Sequence, residues 1–331
     1  MEIKSLTGVR GVAAFYVVTF HLVERNFGGR IDDFLTNGYL AVDFFFILSG
    51  FIMSMVHNEF STKGSGNYSY FMFKRFIRIY PVYIFLYVAS VILASVEHGI
   101  TESPLSFLIN GLLLQSLFGF NYIASSWSIS TEMFAYLLFP AMLMTISKTK
   151  YIIPIVIAAI ASLIYLSVSN EILAFSVNAS GGLKSILRCL ADYSLGVTAY
   201  VLFANGKCIS KRVSYALCFT LAAFLVFRQV DVYIIVLCAL IIPSLVDETN
   251  VVSRVLSIKP IHYLGQISYS LYLVHSLLVN QLEFLFSNIE TGKTTVIFIS
   301  SLLISMVTYH LIEKPCRVHL SRFGAAFNNR S

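Results

Sequence analysis

Apolar runs recur along this chain, each close to the roughly 20 residues that a helix needs to cross a bilayer. That recurrence constrains the fold more than any single residue does. Ten runs lie near 8–24, 38–57, 76–97, 127–146, 151–168, 184–204, 213–228, 231–247, 267–286 and 294–312. Hydrophobic residues make up 57% of the 331 and charged residues only 12%, against about 25% charged in a soluble globule. With a mean hydropathy of +0.78, the chain reads as an all-α, polytopic membrane helix bundle of about ten transmembrane helices. A shorter stretch, Pro104 to Phe120, is interrupted by Asn110, Gly111 and Gln115 and reads as a re-entrant or interfacial segment.

The loops carry a topological signal, because Lys and Arg concentrate on the cytoplasmic side. One set of connections holds Lys63, Lys74 and Arg75; Lys148 and Lys150; Lys207, Lys211 and Arg212; Arg254 and Lys259. Lys314, Arg317, Arg322 and Arg330 fall on the same side, whereas the other side has Arg25, Arg30 and Lys293. Both termini are therefore expected in the cytoplasm, and an eleventh span would spoil the asymmetry. Glu24 and Arg25 follow the first run without a small-residue cleavage site, so that run is expected to stay as a permanent span. Residues 1–331 read as a single integral-membrane domain with no appended soluble domain. The net charge of +6 serves topology and implies no nucleic-acid partner. The five cysteines, Cys189, Cys208, Cys218, Cys238 and Cys316, show no CxxC spacing, so neither a disulfide framework nor a metal site is expected.

Within the apolar runs stand ionisable groups that lipid does not tolerate unpaired. Arg10 and His21 are eleven residues apart on the first run. At about 100° and 1.5 Å per residue they share a helix face and differ in depth by roughly 16 Å. They suit a functional pair, or equally a snorkelling arginine and a structural histidine. Asp43 lies in GYLAVDFFFILSGFIM and needs an arginine or histidine partner on a neighbouring helix, whether its role is structural or catalytic. FKRFIRIYPVY places Lys74, Arg75 and Arg78 at the inner boundary; arginine forks suit phosphate, and lipid head groups are the alternative ligand.

SSWSISTEMFAYLLFP puts Ser128 and Glu132 on one helix face, with the only tryptophan, Trp127, at the outer interface. Glu132 could orient a histidine or an acceptor hydroxyl. ISYSLYLVHSLL aligns Ser268, Tyr272 and His275 as a polar stripe that lines either a cavity or a helix contact. In YHLIEKPCR, Glu313 is expected to pair with neighbouring basic residues and Pro315 to terminate the helix. These residues alone suit a membrane enzyme or a transporter equally, the second reading being a multi-span transporter or exporter of a carbohydrate or lipid-linked substrate.

Taken together and in order, LTGVRGVAAFYVVTFH, GYLAVDFFFILSGF, KRFIRIYPVY, WSISTEMFAYLLFP, LGQISYSLYLVH and IEKPCR resemble membrane acyltransferase family 3, the O-acyltransferases of bacterial surface carbohydrates. The resemblance runs from Leu6 to Arg317 and is nearest the exopolysaccharide and nodulation-factor branch; without a C-terminal extracytoplasmic domain, the two-domain peptidoglycan members fit less well. Between Thr145 and Lys259 little matches beyond hydropathy. Met133 stands where an acid often follows the glutamate of the WSxxxE segment, which leaves the role of Glu132 untouched.

The resemblance implies that Arg10 and His21 are an arginine and histidine pair needed for activity, with acetyl-CoA as the usual donor and a carbohydrate or glycolipid hydroxyl as acceptor. Its residues then take roles: His21 as general base, Asp43 or Glu132 orienting it, and Arg10 with Lys74, Arg75 and Arg78 on the CoA phosphates. Trp127, Ser128, Tyr272 and His275 line the acceptor side. No metal is called for, and a bacterial inner membrane is the expected location.

Overall fold

A computed structural model describes residues 2–23, 27–62, 67–98, 103–119, 122–168, 182–207, 209–227, 230–281 and 292–328. Glu24, Arg25, Lys63 and Arg330 of the charge argument, and Cys208, lie outside them. Among the described residues every regular element is helical. In chain order they are α1 (Lys4–Leu22), α2 (Gly29–Thr36), α3 (Ala41–Val56), α4 (Glu59–Thr62), α5 (Tyr68–His98), α6 (Pro104–Gly111), α7 (Gln115–Phe118), α8 (Ser126–Ile146) and α9 (Ile152–Val168). Then come α10 (Leu183–Ala204), α11 (Lys211–Phe224), α12 (Asp231–Ile241), α13 (Val251–Leu256), α14 (Lys259–Gln266), α15 (Ser268–Gln281), α16 (Lys293–Thr308) and α17 (Lys314–Asn328).

Seven helical stretches among the described residues are long and apolar enough to cross a membrane, which makes the chain an integral membrane protein of polytopic, all-α type. The other three expected runs are helical within the described residues: α11, then α12 with its 3-10 extension to Val246, and α15, which reaches Gln281 at the edge of the described residues. Composition marked all three correctly as helical, but α11 and α12 are shorter than the expected spans. Pro104 to Phe120 is not one helix. It breaks between α6 and α7, where Leu113 takes a φ of 58°, and side chains from two long helices hold the break. Tyr80 and Tyr83 donate to the carbonyls of Gly111 and Asn110, each at 2.9 Å, and Ser130 donates to that of Leu113 at 2.6 Å. Such bonds satisfy backbone groups that a helix interruption would otherwise strand.

Pro315 does not end the last helix. A π turn over Tyr309–Glu313 leads directly into α17, so the proline falls in the first turn of a new helical segment.

By contact density the chain divides into two units. The first comprises Met1–Ser65, Leu138–Phe175 and Ile186–Ser268, the second Gly66–Leu137, Ser176–Ser185 and Tyr269–Ser331. In the first unit the backbone of α1 touches those of α13 and α14. A Cβ on Gly8 would stand 1.9 Å from the carbonyl oxygen of Leu256, the last residue of α13, and one on Gly265 of α14 would stand 1.8 Å from that of Thr7. Small residues of this kind let helices approach until backbones touch. The same device joins α3 to α10, where Gly50 meets the Tyr193 carbonyl and Gly196 meets that of Ile47. Between α12 and α13, Asp247 accepts from the Thr249 hydroxyl at 2.5 Å and from the Thr249 backbone N–H at 2.9 Å, and lies 3.8 Å from Lys211. Those Thr249 hydrogen bonds hold its carboxyl below the usual aspartate range, with a smaller contribution from Lys211.

Candidate active site

Four residues of α1, Arg10, Ala14, Val17 and His21, follow one another at helical spacing along one face. The two in the middle are sealed from solvent, Ala14 at 0% and Val17 at 1% exposure, whereas Val12 and Phe15 on the far side are 44% and 43% exposed. The stripe that carries the cation and the imidazole is therefore the inward face of α1. Arg10 is half-buried and His21 exposed. His21 sits in the last turn of α1. Its ring lies 4.8 Å from that of Phe20, which in turn is 6.1 Å from Tyr39.

Asp43, the third residue of α3, is fully buried, and both of its oxygens are engaged by one guanidinium. Arg188 Nε donates to Oδ1 at 2.6 Å and Nη2 to Oδ2 at 2.5 Å. The partner that the sequence demanded is thus an arginine on α10. Arg188 is 145 positions away, in the part of the chain where hydropathy was the main legible signal. What could have found it is the string ILRCLADYSLG, an arginine and an aspartate at i and i+4 inside an apolar run. Nearby Tyr39 donates to Asp231 at 2.6 Å.

The second unit holds the basic cluster. Lys74 lies 4.4 Å over the ring of Tyr70, and Arg75 lies within 6 Å of both Phe71 and Tyr136. Arg78 donates to Glu313 at 2.7 Å, and Glu313 also accepts from Ser270 at 2.7 Å. Glu313 does pair with a basic residue, but the arginine comes from α5 rather than from its own neighbourhood in sequence.

Also in the second unit, the WSISTE segment packs on α15. Ser128 and Tyr272 share a hydrogen bond of 2.9 Å between hydroxyls, and Ser276 Oγ accepts from the Ser125 N–H at 3.1 Å. Trp127 and His275 are both buried. His275 Nδ1 lies 3.1 Å from the Leu271 carbonyl, so that nitrogen carries the hydrogen. Glu132 accepts from Tyr136 at 2.7 Å. Ser268, the first residue of the expected stripe, instead donates to the Gly265 carbonyl at 2.8 Å. Ser125 and Ser276 were not singled out from sequence, since isolated serines in an apolar helix carry no signal of their own.

A family described as an acyltransferase domain matches residues 3–310. A Staphylococcus aureus (strain COL) protein that carries the name O-acetyltransferase is 26% identical over 362 residues, covering 95% of this chain and 57% of its own. Protein 2 in the picA locus of Rhizobium radiobacter is 39% identical over 79 residues, 24% of this chain and 39% of its own. Acyltransferase MdmB of Streptomyces mycarofaciens is 32% identical over 157 residues, 42% of this chain and 39% of its own. The chain spans 39% to 57% of the length of these relatives. No solved structure matches it.

Proposed function

The chain belongs to the acyltransferase domain family that its residues 3–310 match, and from that premise we propose that it moves an acetyl group from acetyl-CoA to a hydroxyl of a cell-surface or exported carbohydrate. The observation that carries this reading is the inward stripe of α1, with Arg10 and His21 at its two ends and buried Ala14 and Val17 between them.

Acetyl transfer from a thioester requires removal of the acceptor proton and a route for it to the leaving sulfur. In this reading His21 takes the proton as the acceptor oxygen attacks the thioester carbonyl; the C–S bond then breaks and the CoA thiolate takes the proton back from the imidazolium. Imidazole is suited to both steps near neutral pH. Arg10 binds CoA phosphate, with Lys74, Arg75 and Arg78 as further basic contacts on the donor side. Arg78 is shared with Glu313, so it is the one whose charge is already partly spent. Asp43 acts through Arg188 as a positioning residue for α3, and Glu132 orients the acceptor hydroxyl beside Trp127, Ser128, Tyr272 and His275. The chain is assigned to a bacterial inner membrane with both termini in the cytoplasm, as one acyltransferase domain.

The test is thiol release from acetyl-CoA by the purified chain in liposomes with a carbohydrate acceptor. Wild type is expected to release thiol, and His21→Ala to lose release while still binding CoA. Arg10→Ala is expected to raise the donor KM roughly tenfold or more, the worth of one charge-assisted hydrogen bond, with kcat preserved. Undiminished release by His21→Ala would overturn the assignment of the base.

A further inference from the structure

Among the described residues of the first unit, the buried Arg188 shares its surroundings with two buried carboxyl groups, Asp43 and Asp192. Arg188 and Asp43 form a bidentate pair in which every Asp43 oxygen is used. One turn further along α10, Asp192 is also fully buried, and no hydrogen-bond donor among the described residues reaches either of its oxygens. Asp192 lies on the same face of α10 as Arg188, one turn on, so its carboxyl is set beside the Asp43 carboxylate that Arg188 grips. Two carboxylates facing each other are two acceptors without a donor, and an isolated buried anion is prohibitively costly. A proton on one of them turns the repulsive contact into a hydrogen bond.

The other polar groups of this core supply no positive charge. Tyr39, just before α3, is committed to Asp231 at 2.6 Å. Cys238 of α12 is a free, buried cysteine, and a thiol offers no positive charge. A metal cation is poorly served, since the Asp43 oxygens already belong to Arg188 and hard cations gather several oxygen ligands. The surrounding helices are also closed up: a Cβ at Gly196 would stand 1.9 Å from the Ile47 carbonyl oxygen, and one at Gly50 would stand 2.3 Å from that of Tyr193. The compensating charge has to be the smallest available.

We propose that Asp43 and Asp192 hold a single proton between them, making Asp43, Arg188 and Asp192 an electrically neutral, proton-loaded site in the core of the first unit. The proton is taken from water as the helices close. Asp192 then donates to Asp43, and α10 grips α3 through one charged fork and one neutral acid. The site is independent of the acyl-transfer reading and stands or falls separately.

The experiment is infrared difference spectroscopy of the full chain in liposomes at neutral pH, with carbon-13 in the aspartate carboxyl groups to separate them from glutamate. Wild type is expected to show the carbonyl stretch of a protonated aspartic acid, shifted in heavy water, and Asp192→Asn is expected to lack it. Asp192→Glu should move that signal out of the labelled band, which keeps the test open if the asparagine variant does not fold. Replacing sodium by a bulky organic cation should leave the wild-type band unchanged. The proposal fails if wild type lacks the band, if Asp192→Asn retains it, or if it grows only when sodium is withdrawn.

Discussion

Two buried arginine–carboxylate pairs, one in each unit, solve the same problem differently. In the second unit Arg78 and Glu313 balance one to one, Ser270 supplies a third contact, and the Arg78 side chain remains 21% exposed. In the first unit Arg188 is almost wholly sealed, at 1%, and faces two acids. A partly exposed pair can exchange a lost partner for water or a head group. A sealed one cannot, and its charge balance has to be complete within the protein.

The comparison breaks most sharply if both acids around Arg188 are neutralised. Asp43→Asn combined with Asp192→Asn leaves a buried guanidinium without a counter-charge, a loss of about 3–5 kcal/mol, to be read from denaturant unfolding in detergent. Asp43→Asn alone should cost about 1–2 kcal/mol, because Asp192 can release its proton and take over the pairing with Arg188. Strict additivity of the two substitutions would show that the acids are uncoupled. In the other unit, Glu313→Gln keeps an acceptor for Arg78 and should cost about 1–2 kcal/mol, with no dependence on any second carboxyl. Smallest of all is exposed Asp247. Its carboxyl is held below the usual range by Thr249, so its contribution is present above the ordinary aspartate pKa and is lost as pH falls through the lowered folded value. Thr249→Ala should flatten the acid limb of stability against pH only slightly, and a steep limb retained in that variant would assign it to other acids.

How much of this was legible beforehand varied by the range of the interaction. The apolar runs, the stripe of Arg10 and His21, and the demand of Asp43 for a cation all follow from local periodicity and the cost of charge in lipid. Which cation answers Asp43 does not, because Arg188 meets it across 145 residues and only the packing of α3 on α10 brings them together. Pro315 misled for a different reason: a proline ends a helix only if the hydrogen-bond ladder before it keeps its register, and the π turn at Tyr309–Glu313 shifts it. The inward aspect of the α1 stripe was likewise outside the reach of spacing, since periodicity groups residues on a face without saying what covers it.

The meshing of α1 with α13 and α14 has a mechanical consequence. With Gly8 against the Leu256 carbonyl of α13 and Gly265 of α14 against that of Thr7, there is no side chain at either position to give way, so α1 rests on its neighbours like a measuring rod in its slot. Arg10 and His21 mark two graduations on it about 16 Å apart. A methyl group at Gly8 or Gly265 would lift the rod from its seat and shift both marks at once.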